Sequence, residues 1–142
     1  MECFTLNSSV NKKFEFNYLK WLINNVNYII KLEIDLYISE SVRTSEDQTS
    51  NERSLIDADF VRQNCLPDQL IHLKYFHFYI RGKGRLLQNH REQIVHSFQN
   101  HRLFLDHQWT NIEYFFDKND NIPCEHIFSS NHPRFQLYDV FM

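Results

Sequence analysis

The chain has 142 residues, of which 42% are hydrophobic and 23% charged, enough for one buried core and too apolar for a disordered segment. Its formal charge of −3 is too weak to draw the whole chain to nucleic acid or to a membrane surface. Three cysteines without CxxC or CxC spacing argue against a disulfide scaffold, and no run approaches the ~18 apolar residues of a membrane span.

Phe4-Thr5-Leu6 opens the chain with a short alternating strand signal. Tyr18, Leu19, Leu22, Ile23 and Val26 then recur at helical spacing. From Ile30 to Ile38 the pattern alternates: Leu32, Ile34, Leu36 and Ile38 point one way, and Lys31, Glu33, Asp35 and Tyr37 the other. A polar surface loop is expected over 39–52. The next helix is signalled by Ser54, with Asp57 three residues on as an imperfect capping box. Leu55, Ile56, Phe60 and Val61 form its apolar face, and it should end before Pro67.

A second alternating strand runs through Phe76, Phe78 and Ile80, followed by a turn at Arg81-Gly82-Lys83-Gly84-Arg85. Leu86 to Phe98 reads as a helix. Beyond it, 108–142 reads as a strand-rich extension, with short strands at Trp109 to Phe116, Cys124 to Phe128 and Phe135 to Val140, and a turn at Asp117 to Asn121. Alternating strands and helices predict an α/β fold with mainly parallel strands, a single domain or a fragment of one over 1–142. The N-terminus has no basic, apolar leader, so the expected location is intracellular, cytoplasmic or nuclear.

Two segments share one spacing, apolar-x2-apolar-x2-apolar-x-apolar: Val26, Ile29, Leu32, Ile34 and Leu70, Leu73, Phe76, Phe78. In leucine-rich repeats such a pattern turns a helix end into a strand that stacks on its neighbour. Phe4-x-Leu6 fits as an earlier, degenerate copy. The prediction is concrete: Leu32 and Ile34 lie beside Phe76 and Phe78 in adjacent parallel strands, which sets Glu33 beside His77.

Ser54 to Arg81, SLIDADFVRQNCLPDQLIHLKYFHFYIR, resembles the leucine-rich-repeat-like region of a large invertebrate family of F-box-type proteins. In that family an Asp-containing helix, a Leu-Pro-x-x-Leu turn and a Leu-Lys-x-Phe-x-Phe strand follow one another. Ile94-Val95-His96-Ser97-Phe98 and Phe104-Leu105-Asp106-His107-Gln108-Trp109 are similar to its later signatures. The resemblance implies short strand-helix units and a non-catalytic protein-interaction module, the substrate-recognition part of an F-box-type protein. It departs from the repeat consensus at Tyr37 and Arg81, where Asn or Cys is usual. With only three residues before Phe4, the F-box itself is not expected in this chain, and no coupling to a ubiquitin ligase is implied.

Chemistry is sparse. His90 and His96, and His101 and His107, are six apart, whereas a metal pair on a helix wants three or four. Cys124-x-His126 with His132 lacks an evident fourth zinc ligand. Asp117 to Asn121 starts like a calcium loop but has Ile122 in place of the Gly and Phe128 in place of the Glu. No nucleophile elbow or phosphate loop occurs, so neither an enzyme nor a cofactor is predicted.

The candidate binding residues are those between the apolar strand positions: Glu33, Asp35 and Tyr37 on one strand, Tyr75, His77 and Tyr79 on the next. Exposed tyrosines beside carboxylates suit an unidentified protein partner, because Tyr offers area and a polar tip at low entropy cost. Nucleic acid is the alternative, through 67–107. That segment holds six of the eight histidines, with Lys74, Arg81, Lys83, Arg85, Arg91 and Arg102 against Asp68, Glu92 and Asp106.

Overall fold

A computed structural model describes residues 3–26, 28–39, 55–83, 90–117 and 123–130. Among these residues nine elements follow in chain order: β1 Cys3–Val10, α1 Phe14–Asn24, β2 Lys31–Ile38, α2 Ala58–Cys65, β3 Tyr75–Lys83, α3 His90–Asn100, α4 Arg102–Asp106, β4 Ile112–Asp117 and β5 Cys124–Ser129. Residues 40–52 of the loop expected over 39–52, and the expected strand Phe135 to Val140, lie outside the described residues.

The strands form a five-stranded sheet in the order β1-β2-β3-β5-β4. β1, β2 and β3 are parallel neighbours, whereas β5 is antiparallel to both β3 and β4. Of the described strands, four therefore run one way and β5 runs back. The predicted register holds: Leu32 sits beside Phe76, Ile34 beside Phe78 and Glu33 beside His77. Phe4 and Leu6 extend the same rows by pairing with Leu32 and Ile34.

This register follows from burial. A slip of one residue would turn every apolar side chain of a strand to the wrong face. Leu32, Ile34, Leu36 and Ile38 of β2 join Phe76, Phe78 and Ile80 of β3 in one buried cluster with Leu19 and Ile23 of α1, Val61 and Cys65 of α2, and Ile94 and Phe98 of α3. Its aromatic centre is continuous. Phe78 stacks on Phe98 at 5.6 Å, Phe98 meets Phe104 edge-on at 5.0 Å, and Trp109 packs against both Phe76 and Phe104 at 5.5 and 6.5 Å.

The helices are fixed at their ends by polar groups. Asp57 caps α2, its carboxylate accepting the Phe60 N–H at 3.0 Å, while Ser54 lies outside the described residues. α2 stops at Cys65, two residues short of Pro67, as expected. Its last carbonyls are met by the Lys20 ammonium of α1, which donates to Leu66 and Arg62 and pairs with Asp68 at 3.1 Å. That ammonium holds the Asp68 carboxyl below its ordinary range, first by the hydrogen bond and then by charge. Beside it, burial drives the Cys65 thiol up to about 12 against the opposing pull of Lys20.

Two expectations shift. Arg81 to Lys83 continue β3 rather than turning, because β5 pairs with them and places Glu125 opposite Gly82; Gly84 and Arg85 lie outside the described residues. Of the expected helix Leu86 to Phe98, residues 90–98 are helical, within α3, and residues 86–89 lie outside the described residues. Tyr18, expected on the apolar face of α1, is 62% exposed. With Phe14 and Trp21 it forms an outward row at positions i, i+4 and i+7, while Leu19 and Ile23 face the sheet.

Candidate functional site

All six predicted binding residues fall on the sheet face opposite the helices, because they alternate with the buried rows of β2 and β3. Register places Glu33 beside His77, Asp35 beside Tyr79 and Tyr37 beside Arg81. Glu33 accepts a hydrogen bond from the Thr5 hydroxyl at 3.4 Å and pairs with Lys31 at 3.2 Å. The Arg81 guanidinium lies 5.6 Å from the Tyr37 ring centre, a cation–π contact. His77 is half-buried, and its pKa is lowered by that burial first and by Lys31 second, with Glu33 opposing. The imidazole is therefore neutral at physiological pH.

The six residues do not form one exposed surface. Tyr79 is 7% exposed and Asp35 is also buried, whereas Tyr75 is 56% exposed. Tyr79 is withdrawn by β5: its ring stacks on Phe128 at 5.5 Å, and its hydroxyl bonds His126 Nδ1 at 2.6 Å. Alternation within a strand assigns the face but not what a distant strand places there. Tyr79 thus belongs to packing, and the accessible part of the predicted set is Tyr75 with half-buried His77, Glu33 and Tyr37.

A cleft of about 280 Å³ opens beside Tyr75 and His77. It exists because β5 ends too soon: the β3–β5 pairing begins at Tyr79 opposite Phe128, leaving Tyr75 to Phe78 without a described strand on that side. Ser129 covers part of the gap, its hydroxyl accepting the Phe78 N–H at 3.0 Å and donating to the Phe78 carbonyl at 3.4 Å. Backbone groups alternate sides along a strand, so Phe76 turns its N–H and C=O toward the same cleft. The opposite wall is Trp109, stacked on His107 at 4.4 Å. Gln108 between them has φ 61, a left-handed conformation that is uncommon for a residue with a side chain. It lets the chain reverse after α4, so that the Trp109 N–H reaches the Phe104 carbonyl at 2.8 Å. Lys74 supplies a cation at the rim, and the Nδ1 of His77 is buried with no hydrogen-bond partner among the described residues.

The chain matches no family model, no curated protein and no solved structure. The site therefore rests on its own geometry.

A second, larger cavity of about 610 Å³ lies where the segments before β2 and β3 meet, lined by Asn24, Tyr28, Pro67, Asp68, Ile71 and His72 among others. It too carries a left-handed residue, Tyr28 at φ 59, whose ring sits 5.0 Å from His72. None of the predicted site residues lines it. Sequence reasoning misses both this cavity and the role of Trp109, which it assigns to a strand. β4 itself starts only at Ile112, three residues after Trp109.

The basic residues of 67–107 are dispersed where they are described. Lys74 and Lys83 bracket β3, roughly 30 Å apart at ~3.3 Å per residue. Arg81 is engaged with Tyr37, and Arg91 and Arg102 sit on α3 and α4. The histidines are spread as well: His101 caps α4 and pairs with Asp59 at 3.2 Å, while His107 bonds the Leu103 carbonyl. Among the described residues no group of three or more His, Cys, Asp or Glu is placed to hold a metal ion, and no helix is long and apolar enough to cross a membrane.

Proposed function

We propose that this chain is a non-catalytic protein-interaction module that captures an extended segment of a partner protein in the cleft beside the first half of β3. The observation that carries the reading is the gap left by β5. Phe76 presents a backbone donor and acceptor between an exposed tyrosine, Tyr75, and the Trp109–His107 stack. An added strand uses such groups for main-chain hydrogen bonds, and flanking aromatic walls select its side chains. Neutral His77 and the Ser129 hydroxyl suit uncharged polar side chains of the bound segment, while Lys74 favours an acidic residue at the rim.

The wider reading is that the stacked rows of β1, β2 and β3 are leucine-rich-repeat-like units, as in the F-box-type family that Ser54 to Arg81 resembles. It is supported by the shared register of the three strands. On that reading the module is the substrate-recognition part of such a protein. The test is selection from a displayed library of random peptides, followed by affinity measurement on the wild type and on Tyr75→Ser/His77→Ser. Enriched peptides should bind the wild type and lose at least tenfold in affinity to the double variant. Peptides that bind both proteins equally would remove the cleft from the account.

A further inference from the structure

We infer that the outer edge of β1, which pairs with no strand among the described residues, is a self-association surface on which β1 of a second copy of this chain adds antiparallel to continue the sheet. The Ser39 N–H donates to the Val10 carbonyl at 3.0 Å, which fixes the even-numbered residues of β1 as those facing β2. By alternation, Cys3, Thr5, Asn7 and Ser9 turn their N–H and C=O groups outward, and all four residues are exposed. This edge is eight residues long and reads Cys-Phe-Thr-Leu-Asn-Ser-Ser-Val, with no charge and no proline.

Such an edge lacks the devices that keep sheets from pairing. The opposite edge of the same sheet has them: β4 is shorter, at six residues, and carries Glu113 and Asp117. The contrast favours a second copy, because two neutral edges meet across a two-fold axis without like-charge repulsion, whereas two β4 edges would oppose carboxylates. One register uses all the outward groups. With Leu6 opposite its own counterpart, Thr5 pairs with Asn7 and Cys3 with Ser9 of the second copy, each by two backbone hydrogen bonds.

The helix layer fits this arrangement. Phe16 packs on Phe60, and Lys20 bonds the end of α2, so these residues mark the flank of α1 that meets α2. Tyr18 and Leu22, two positions on from them, stand about 200° round the helix, on the flank beside the free edge.

The test combines sedimentation velocity with a cross-link. Wild type should sediment as a reversible dimer, its dimer fraction rising with concentration. Asn7→Pro should sediment as a monomer with the same circular-dichroism spectrum, because the lost N–H points outward and the β1–β2 ladder keeps its own bonds. Should that variant fail to fold, Thr5→Lys/Asn7→Lys serves instead, since it sets lysines opposite each other across the axis. Leu6→Cys with Cys3→Ser should form a disulfide-linked dimer on mild oxidation, as residues in that position lie about 4.5 Å apart between Cα atoms. A monomeric wild type at every concentration would overturn the inference. So would a folded edge variant that still dimerises, or a Leu6→Cys/Cys3→Ser variant that dimerises like wild type yet fails to cross-link.

Discussion

Tyr75 and Tyr79 share a face of β3 but should respond oppositely to truncation. Tyr79 is 7% exposed, stacked on Phe128 at 5.5 Å and bonded to His126 at 2.6 Å. Removing its ring forfeits apolar burial and leaves a cavity, about 3–5 kcal/mol for a buried aromatic. The hydroxyl alone is worth about 1 kcal/mol, the usual net value of one hydrogen bond. Tyr79→Ala should therefore cost about 3–5 kcal/mol and Tyr79→Phe about 1 kcal/mol, whereas Tyr75→Ser should stay within about 0.5 kcal/mol. Equilibrium urea unfolding measures all three, with the midpoint moving and the slope unchanged if only stability is altered. A Tyr79→Ala variant as stable as Tyr75→Ser would mean that β5 does not pack on β3 as described, and the cleft defined by its end would go with it.

Lys20→Met should destabilise the fold by about 1–3 kcal/mol, because the carbonyls of Leu66 and Arg62 lose their donor at the junction of α1 and α2; thermal melting checks this. The lowered pKa of His77 has a definite sign. As pH falls below the ordinary histidine value of 6.5, the unfolded chain takes up the proton first, so stability falls in acid. In His77→Gln that slope between about pH 7.5 and 5 should be shallower than in wild type. Among the thiols, Cys3 is exposed while Cys65 and Cys124 are buried, so Cys3 should be modified first by a thiol reagent in the native protein. Equal rates at Cys3 and Cys65 would contradict the packing of α2.

Much of the fold was legible because its rows repeat at fixed spacing. Leu32-x-Ile34 and Phe76-x-Phe78 share a pattern whose burial excludes a one-residue slip of register, and Phe4-x-Leu6 repeats it at the edge. Pro67 marked the end of α2, since the residue before a proline resists helical backbone. What stayed hidden depends on contacts between segments far apart in the chain. Gly82 has the look of a turn residue until β5 pairs beside it. Tyr79 resembles Tyr75 until Phe128 and His126 cover it. Helical spacing finds the faces of α1 but gives Tyr18 to the core face rather than the outer row. Of the six predicted site residues, Tyr75 and His77 line the cleft, while its other wall, Trp109 and His107, comes from the passage between α4 and β4.

The Phe76 amide tests the central claim most directly. Its N–H is directed into the cleft, so hydrogen exchange followed by NMR should slow at this residue when a selected peptide binds, as a new strand bond forms. The amides of Cys3, Thr5, Asn7 and Ser9 at the far edge should be unaffected at the same protein concentration. Unchanged exchange at Phe76 under saturating peptide, with protection elsewhere, would contradict the account.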